Sequence, residues 1–112
     1  MAIEFDGATI ETNPAGYLAD METWSEALAP VLAAGEGIEL TDKHWDVINF
    51  LRAEYIESNQ NQPNTRTIVK AMSKAWGEKI SQKDLYELFP GDPSKQAGKI
   101  GGLPESRRKG GY

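Results

Sequence analysis

Apolar residues recur along most of the chain at the three- and four-residue spacing that is typical of amphipathic helices. This spacing predicts four or five helices, over about 21–34, 42–58, 65–76, 81–89 and 93–99. A residue that favours the N-cap position stands at the start of each of the last four segments: Thr41, Asn64 or Thr65, Ser81 and Asp92. Glycine or proline ends several of them: Gly35, Gly77 and Pro90.

The N-terminus has a different pattern, because Ile3 and Phe5 alternate with acidic residues and Asp6-Gly7 follows them. This combination predicts a β-hairpin with strands over about 3–5 and 9–11. Two strands alone are marginally stable, so the hairpin has to pack on the helices. We therefore expect a mainly α fold: a compact orthogonal bundle of about five helices, resembling a helix-turn-helix, with a small N-terminal hairpin.

The helical pattern stops at Gly101, and the polar residues that follow predict a flexible C-terminal arm. We expect one domain over residues 1–100 and the arm over 101–112. No apolar run reaches the roughly 20 residues of a membrane helix, and the acidic N-terminus does not resemble a secretory signal. The expected location is therefore cytoplasmic, with no insertion into a membrane.

The chain has no cysteine and one histidine, His44. Without cysteine it has no disulfide, no thiolate metal ligand and no thiol nucleophile of its own. One histidine is too few for a typical zinc site, so we expect neither a metal nor a cofactor. His44 lies in the first turn of its helix, where a capping or packing role is expected.

The net charge of -5 conceals an uneven distribution along the chain. Residues 1–60 carry twelve acids and two bases, whereas residues 61–112 carry five acids and ten bases. This asymmetry indicates a cationic end that faces an acidic partner or phosphates. It is equally compatible with a fold that interleaves the two halves and neutralises both charges.

Three basic residues four positions apart, Arg66, Lys70 and Lys74, form one stripe on their predicted helix. The stripe is either a binding surface for acidic groups or an ordinary solvated helix face. The segments 65–76 and 81–89 also resemble a helix-turn-helix, which makes DNA a second candidate partner. In the reading helix, however, Lys83 has two acids beside it, and these would repel phosphates.

Several long motifs resemble the DsrC/TusE sulfur-relay family. They are residues 40–52 (LTDKHWDVINFLR), 85–90 (LYELFP), 93–97 (PSKQA) and 102–104 (GLP). The resemblance implies a helical bundle with a hairpin and a C-terminal arm. It also implies a cysteine next to the last residue and, in the DsrC branch, a second one just after the Lys-Gln-Ala segment. These cysteines hold sulfur as a persulfide or trisulfide and pass it to sulfur-transfer proteins, tRNA thiolation enzymes or dissimilatory sulfite reductase.

The chain departs from the family at both carrier positions, which here are Gly98 and Gly111. Sulfur exchange needs a thiolate, which glycine cannot supply and neither Ser106 nor Tyr112 can replace. We therefore expect a protein that is not an enzyme but a non-catalytic binding or regulatory protein of sulfur metabolism, docking on sulfur-relay or sulfite-reductase partners.

Two other functions stay open: a DNA-binding transcriptional regulator, and a sulfur-relay sulfurtransferase despite the missing carrier cysteine. The basic residues form the expected contact surface for a protein partner or a nucleic acid: Arg66, Lys70, Lys74, Lys83, Lys95, Arg107, Arg108 and Lys109.

Overall fold

The computed structural model describes residues 2–14, 16–58 and 62–104. Two antiparallel strands come first, β1 (Ala2–Phe5) and β2 (Ala8–Glu11), and a single turn of 3₁₀ helix follows at Met21–Thr23. The α-helices within the described residues are α1 (Ala29–Gly35), α2 (Asp42–Glu57), α3 (Thr65–Trp76), α4 (Gln82–Leu88) and α5 (Pro93–Ile100). The predicted fold class, mainly helical with a small N-terminal hairpin, is confirmed.

The predicted hairpin is confirmed, and in it Ile3 lies opposite Ile10 and Phe5 opposite Ala8. Asp6 (φ 50°) and Gly7 (φ 78°) form the turn, and both have the positive φ that a type I′ turn requires. Ile10 is buried, and Ile3 and Phe5 pack against the same core. The hairpin thus covers the helices with one face and leaves the other in water.

Local capping residues begin the helices at the predicted positions. The Asn64 side chain accepts a hydrogen bond from the Thr67 N–H (2.8 Å), and the Asp92 side chain accepts one from the Lys95 N–H (3.2 Å). Gly77 ends α3 with a left-handed backbone conformation (φ 67°). These interactions involve near neighbours in the chain, which explains why sequence patterns locate them.

His44 caps α2 and also ties α2 to α4. Its Nδ1 accepts a hydrogen bond from the Thr41 N–H (3.0 Å), and Nε2 then carries the proton that is donated to the Leu88 carbonyl (2.8 Å). The ring is buried and meets Phe89 edge-on, with centroids 5.0 Å apart. The predicted capping and packing role of His44 is confirmed.

Helix α5 occupies the centre of the fold, packed against α1, α2, α3 and α4. The core contains fully buried apolar side chains from α2, α3, α4 and α5 and from the residues that flank α1 and α4. They are Ile48, Ile68, Leu85, Ile100, Leu28 and Phe89. Because α5 touches four other helices, its C-terminal end has a fixed position relative to most of the molecule.

The helix predicted over 21–34 is confirmed over residues 29–34, as α1, and is wrong over residues 21–28. The chain forms the 3₁₀ turn at Met21–Thr23, becomes extended at Trp24 (ψ 144°) and resumes as a helix only at Ala29. Pro30 stands in the first turn of α1, where its missing N–H is tolerated. A helix that ran through this position from residue 21 would lose that hydrogen bond, so α1 begins next to the proline. The break directs the Trp24 side chain towards the end of α5.

We predict that His44→Ala lowers the free energy of unfolding by about 2–3 kcal/mol, because it removes two hydrogen bonds and packing against Phe89. Urea denaturation measures the loss. Asn49→Ala, at an exposed position of the same helix, is the control and should change stability by less than about 0.5 kcal/mol. Equal losses in the two variants would contradict the role assigned to His44.

Candidate functional site

A narrow groove lies beside the end of α5, where the chain turns back over the core. Its lining includes both polar side chains and open backbone: Tyr17, Gln62, Ser94, Lys95, Gly98 and Pro104. The accessible space is only about 10 Å³, enough for one group the size of a water molecule. The groove therefore suits the tip of a side chain or a small ligand end, and not a whole cofactor.

Gly98 is buried in α5, yet a Cβ built on it would have no heavy atom of another group within 4 Å. The missing side chain thus leaves open space beside the backbone, and a side chain as small as that of cysteine fits there. Gly98, which the resemblance predicts to be one of the two carrier positions, is part of the groove lining. The other, Gly111, lies outside the described residues.

The segment after α5 is held by side chains from distant parts of the chain. The Trp24 indole N–H donates to the Ile100 carbonyl (2.8 Å), and the Arg52 guanidinium donates to the Gly101 carbonyl. The Gln62 amide donates to the Pro104 carbonyl (2.9 Å). These hydrogen bonds hold the end of α5 and residues 101–104, the first part of the predicted arm, against the body. Residues 105–112 lie outside the described residues.

Arg52 and Trp24 also stack on each other, with the guanidinium carbon 3.8 Å from the centre of the indole ring. Burial lowers the pKa of Arg52, because desolvation disfavours its charged form. A guanidinium titrates so far above neutral pH that it nevertheless stays protonated. The result is a fixed positive charge, sandwiched between an aromatic ring and a carbonyl, at the base of the C-terminal segment.

Gly102 is the glycine that this close packing requires. Its φ is +76°, and a Cβ there would lie 2.5 Å from the Trp24 ring. Its N–H donates to the Lys99 carbonyl (3.1 Å), and the next N–H, of Leu103, donates to the Gly98 carbonyl (2.9 Å). This is the Schellman pattern that ends a helix, and it turns the chain across the groove.

The predicted contact residues lie in different places. Arg66, Lys70 and Lys74 are exposed on α3, and Lys83 is exposed on α4. Lys95 is half-buried and is the one member of this set, within the described residues, that lines the groove with Gly98. The remaining candidates lie outside the described residues: Arg107, Arg108 and Lys109.

Several residues that line the groove or hold the segment after α5 were not predicted as site residues, among them Tyr17, Arg52 and Gln62. Tyr17 and Gln62 stand in irregular segments, where the pattern of apolar residues carries no information on tertiary neighbours. Arg52 did leave a signal, since it is one of only two bases among the first sixty residues and directly follows Leu51 of the apolar stripe. A base at such a position is a candidate for a specific buried contact.

Two further properties concern only the part of the chain that the structure describes. No three His, Cys, Asp or Glu side chains within it are grouped closely enough to hold a metal ion. No helix within it has both the length and the apolar character needed to cross a membrane.

The fold is that of the DsrC proteins. DsrC of Allochromatium vinosum superposes with a TM-score of 0.84 at 41% sequence identity, covering 96% of this chain and 98% of that one. The oxidized gamma-subunit of dissimilatory sulfite reductase (DsrC) from Archaeoglobus fulgidus gives a TM-score of 0.87 at 33% identity, over 96% and 98% of the two chains. A family profile described as DsrC like protein matches residues 4–108, and the chain belongs to this family.

Curated relatives are more similar still. Sulfurtransferase TusE of Pectobacterium atrosepticum is 54% identical over 104 residues, which is 92% of this chain and 94% of the relative. Sulfurtransferase TusE of Yersinia pestis is 53% identical over the same length and shares. The resemblance to the DsrC/TusE family is thus confirmed, as is the observation that this member contains no cysteine.

The relatives correct the predicted function. The expectation of a protein that is not an enzyme, acting as a non-catalytic binding or regulatory protein, is wrong, since proteins with half of the same residues are named sulfurtransferases. That expectation rested on the glycines at positions 98 and 111 and not on the similarity of the rest of the chain to the family. The same relatives contradict the DNA-binding alternative, and Asp84 and Glu87 are indeed exposed beside Lys83 on α4.

We predict that Gly102→Ala destabilises the protein far more than Gly37→Ala. Both glycines follow a helix in the same hydrogen-bond pattern and have nearly the same φ, +76° and +75°. Each substitution costs about 1 kcal/mol for the positive φ. A Cβ at position 37 meets open space, whereas at 102 it collides with Trp24, which adds about 1–3 kcal/mol. Equal losses in thermal or urea denaturation would contradict the close packing of Trp24.

Proposed function

We propose that this chain functions in sulfur relay, as a sulfurtransferase of the TusE kind, and that the groove at Gly98 is the place of transfer. The observation that carries the proposal is the 54% identity to a sulfurtransferase TusE over 104 residues. The location is supported by the groove lining, in which Gly98, the carrier position predicted from the family resemblance, lies beside a cationic side chain, Lys95.

The reaction class is the exchange of sulfane sulfur between two thiols. An acceptor thiolate attacks the outer sulfur of a persulfide, a new S–S bond forms, the old one breaks, and its electron pair leaves with the donor thiolate. This exchange needs no oxidant or reductant. Because the chain has no cysteine, the donor persulfide and the acceptor thiol both belong to partner molecules of the relay.

The groove would assist this exchange in two ways. Gly98 leaves the helix backbone open, so the sulfur-bearing tip of a partner segment can approach closely. Lys95 supplies positive charge at the same place, which favours a thiolate over a thiol and so raises the concentration of the nucleophile. Holding donor and acceptor together would add the advantage of proximity.

The partners that this function requires are proteins that carry a reactive thiol or persulfide. One solved structure of similar fold is a gamma-subunit of dissimilatory sulfite reductase, which makes a reductase of that kind a second candidate partner. The expected cytoplasmic location and the division between body and arm stay predictions.

A transfer assay tests the proposal directly. Glutathione persulfide serves as donor and a reduced single-cysteine protein as acceptor, and the rate of acceptor persulfide formation is followed with and without the full chain. We expect at least about a tenfold faster transfer with the chain present. Lys95→Ala should lose most of this gain, and Lys83→Ala, at an exposed lysine outside the groove, should retain it. An identical rate with and without the chain would overturn the proposal.

A second experiment tests the position of the site. The chain itself should gain no covalent sulfur from the donor, because it has no thiol, whereas Gly98→Cys should gain about 32 Da by mass spectrometry, one sulfur atom. Gly35→Cys, at an exposed glycine of α1 that also has open space around it, is the control. We expect the cysteine at position 35 to react several-fold more slowly, because Lys95 does not lie beside it. Equal rates, or a stable sulfur adduct on the unmodified chain, would contradict the assignment.

A further inference from the structure

An open apolar cleft lies between α2 and α3, away from the groove at Gly98. At one end of the cleft, Trp76 at the end of α3 donates its indole N–H to Asp46 near the start of α2 (2.7 Å). The cleft measures about 720 Å³, and most of its lining is apolar: Phe50, Ala71, Met72, Ala75 and Trp76. It shares no lining residue with the groove at Gly98.

The length of the cleft limits what can occupy it. Its lining runs from Asp46 to Phe50 on α2 and from Ala71 to Trp76 on α3, which is about 8 Å along each helix. A stable dimer of this chain would need to bury roughly 800 Å² on each partner. The cleft instead matches one or two apolar side chains of a single segment, as in the docking of an amphipathic helix in a groove.

The charge on the α3 side of the cleft is positive. Arg66, Lys70 and Lys74 stand four residues apart on α3, all exposed, and Lys74 lines the cleft. The sequence of α3 contains no acid, and none of the three bases forms an ion pair within the described residues. At the opposite edge, the Asp46 carboxylate accepts the Trp76 hydrogen bond. The cleft thus has an apolar floor and one cation, Lys74, at its edge, and two more exposed cations, Lys70 and Arg66, continue along the same face of α3 beyond it.

We propose that this cleft is the docking site for an acidic amphipathic helix of a partner protein. Its apolar side chains enter between Phe50 and Ala75, and carboxylates spaced four residues apart pair with Lys70 and Lys74. Binding to phosphates would use the basic row but leave the apolar floor uncovered, so a protein helix fits the surface better than a nucleic acid. The docking does not depend on sulfur transfer at Gly98.

Synthetic peptides test the proposal on the full chain. The probe is a helical peptide of about 16 residues with leucine at three- and four-residue spacing and glutamate at every fourth position beside it. The control peptide has lysine in place of each glutamate. ¹⁵N NMR should show shifts at the α3 amides and at the Trp76 indole, with the acidic peptide binding at least ten times more tightly. Equal affinity of the two peptides would overturn the proposal.

Variants locate the site. Lys70→Glu combined with Lys74→Glu should weaken binding of the acidic peptide at least tenfold, and Lys83→Glu should change it less than twofold. The double variant should keep its circular dichroism spectrum, because both lysines are exposed. It should also accelerate transfer from glutathione persulfide as the unmodified chain does, which separates this proposal from the sulfur chemistry.

Unchanged binding of the acidic peptide by the double variant would contradict the docking proposal. So would self-association of the chain in sedimentation experiments that is accompanied by a shift of the Trp76 indole signal. Tighter binding of a 20-base-pair DNA duplex than of the acidic peptide would contradict it as well.

Discussion

The stack of Arg52 on Trp24, closed over the end of α5, is the contact on which the described site depends. The pair hydrogen-bonds two consecutive carbonyls, those of Ile100 and Gly101, and it tolerates only glycine at position 102. Because α5 packs against four helices, this contact fixes the chain that follows α5 relative to the whole helical bundle. The groove beside Gly98 exists because the chain then turns back across α5 instead of continuing away from it.

The groove also gives physical meaning to the missing cysteines. A sulfurtransferase needs a place where two sulfur atoms meet, an environment that favours a thiolate, and a means of holding both reactants. The described residues supply room for one sulfur-bearing tip at Gly98 and positive charge at Lys95, and in the proposed function both thiols belong to partners. A surface that binds partners is then as important as the groove, and the cationic side of α3 lies next to an apolar cleft suited to that task.

The parts of the fold that sequence patterns predict are those governed by near neighbours. The cap at Asn64 and the turn at Asp6-Gly7 involve residues at most three or four positions apart, and their chemistry is visible in the sequence. The site could not be found in this way. Trp24 meets Ile100 at a separation of 76 residues, and Gln62 meets Pro104 at 42. Because a helix was predicted through Trp24, the extended backbone that lets its indole reach the Ile100 carbonyl was not expected. Family motifs indicated Gly98, and Lys95 lies one helical turn before it on α5. Only packing, however, brings Tyr17 and Gln62 to the same groove.

The central claim is that partner sulfur is exchanged in the groove at Gly98, and the most direct measurement is where a persulfide binds. ¹⁵N NMR of the full chain, titrated with glutathione persulfide, reports this residue by residue. The account predicts that the largest shifts occur at the amides of Lys95, Gly98 and Leu103 and that they weaken in Lys95→Ala. Shifts confined to other surfaces, or no saturable shift at all, would contradict it.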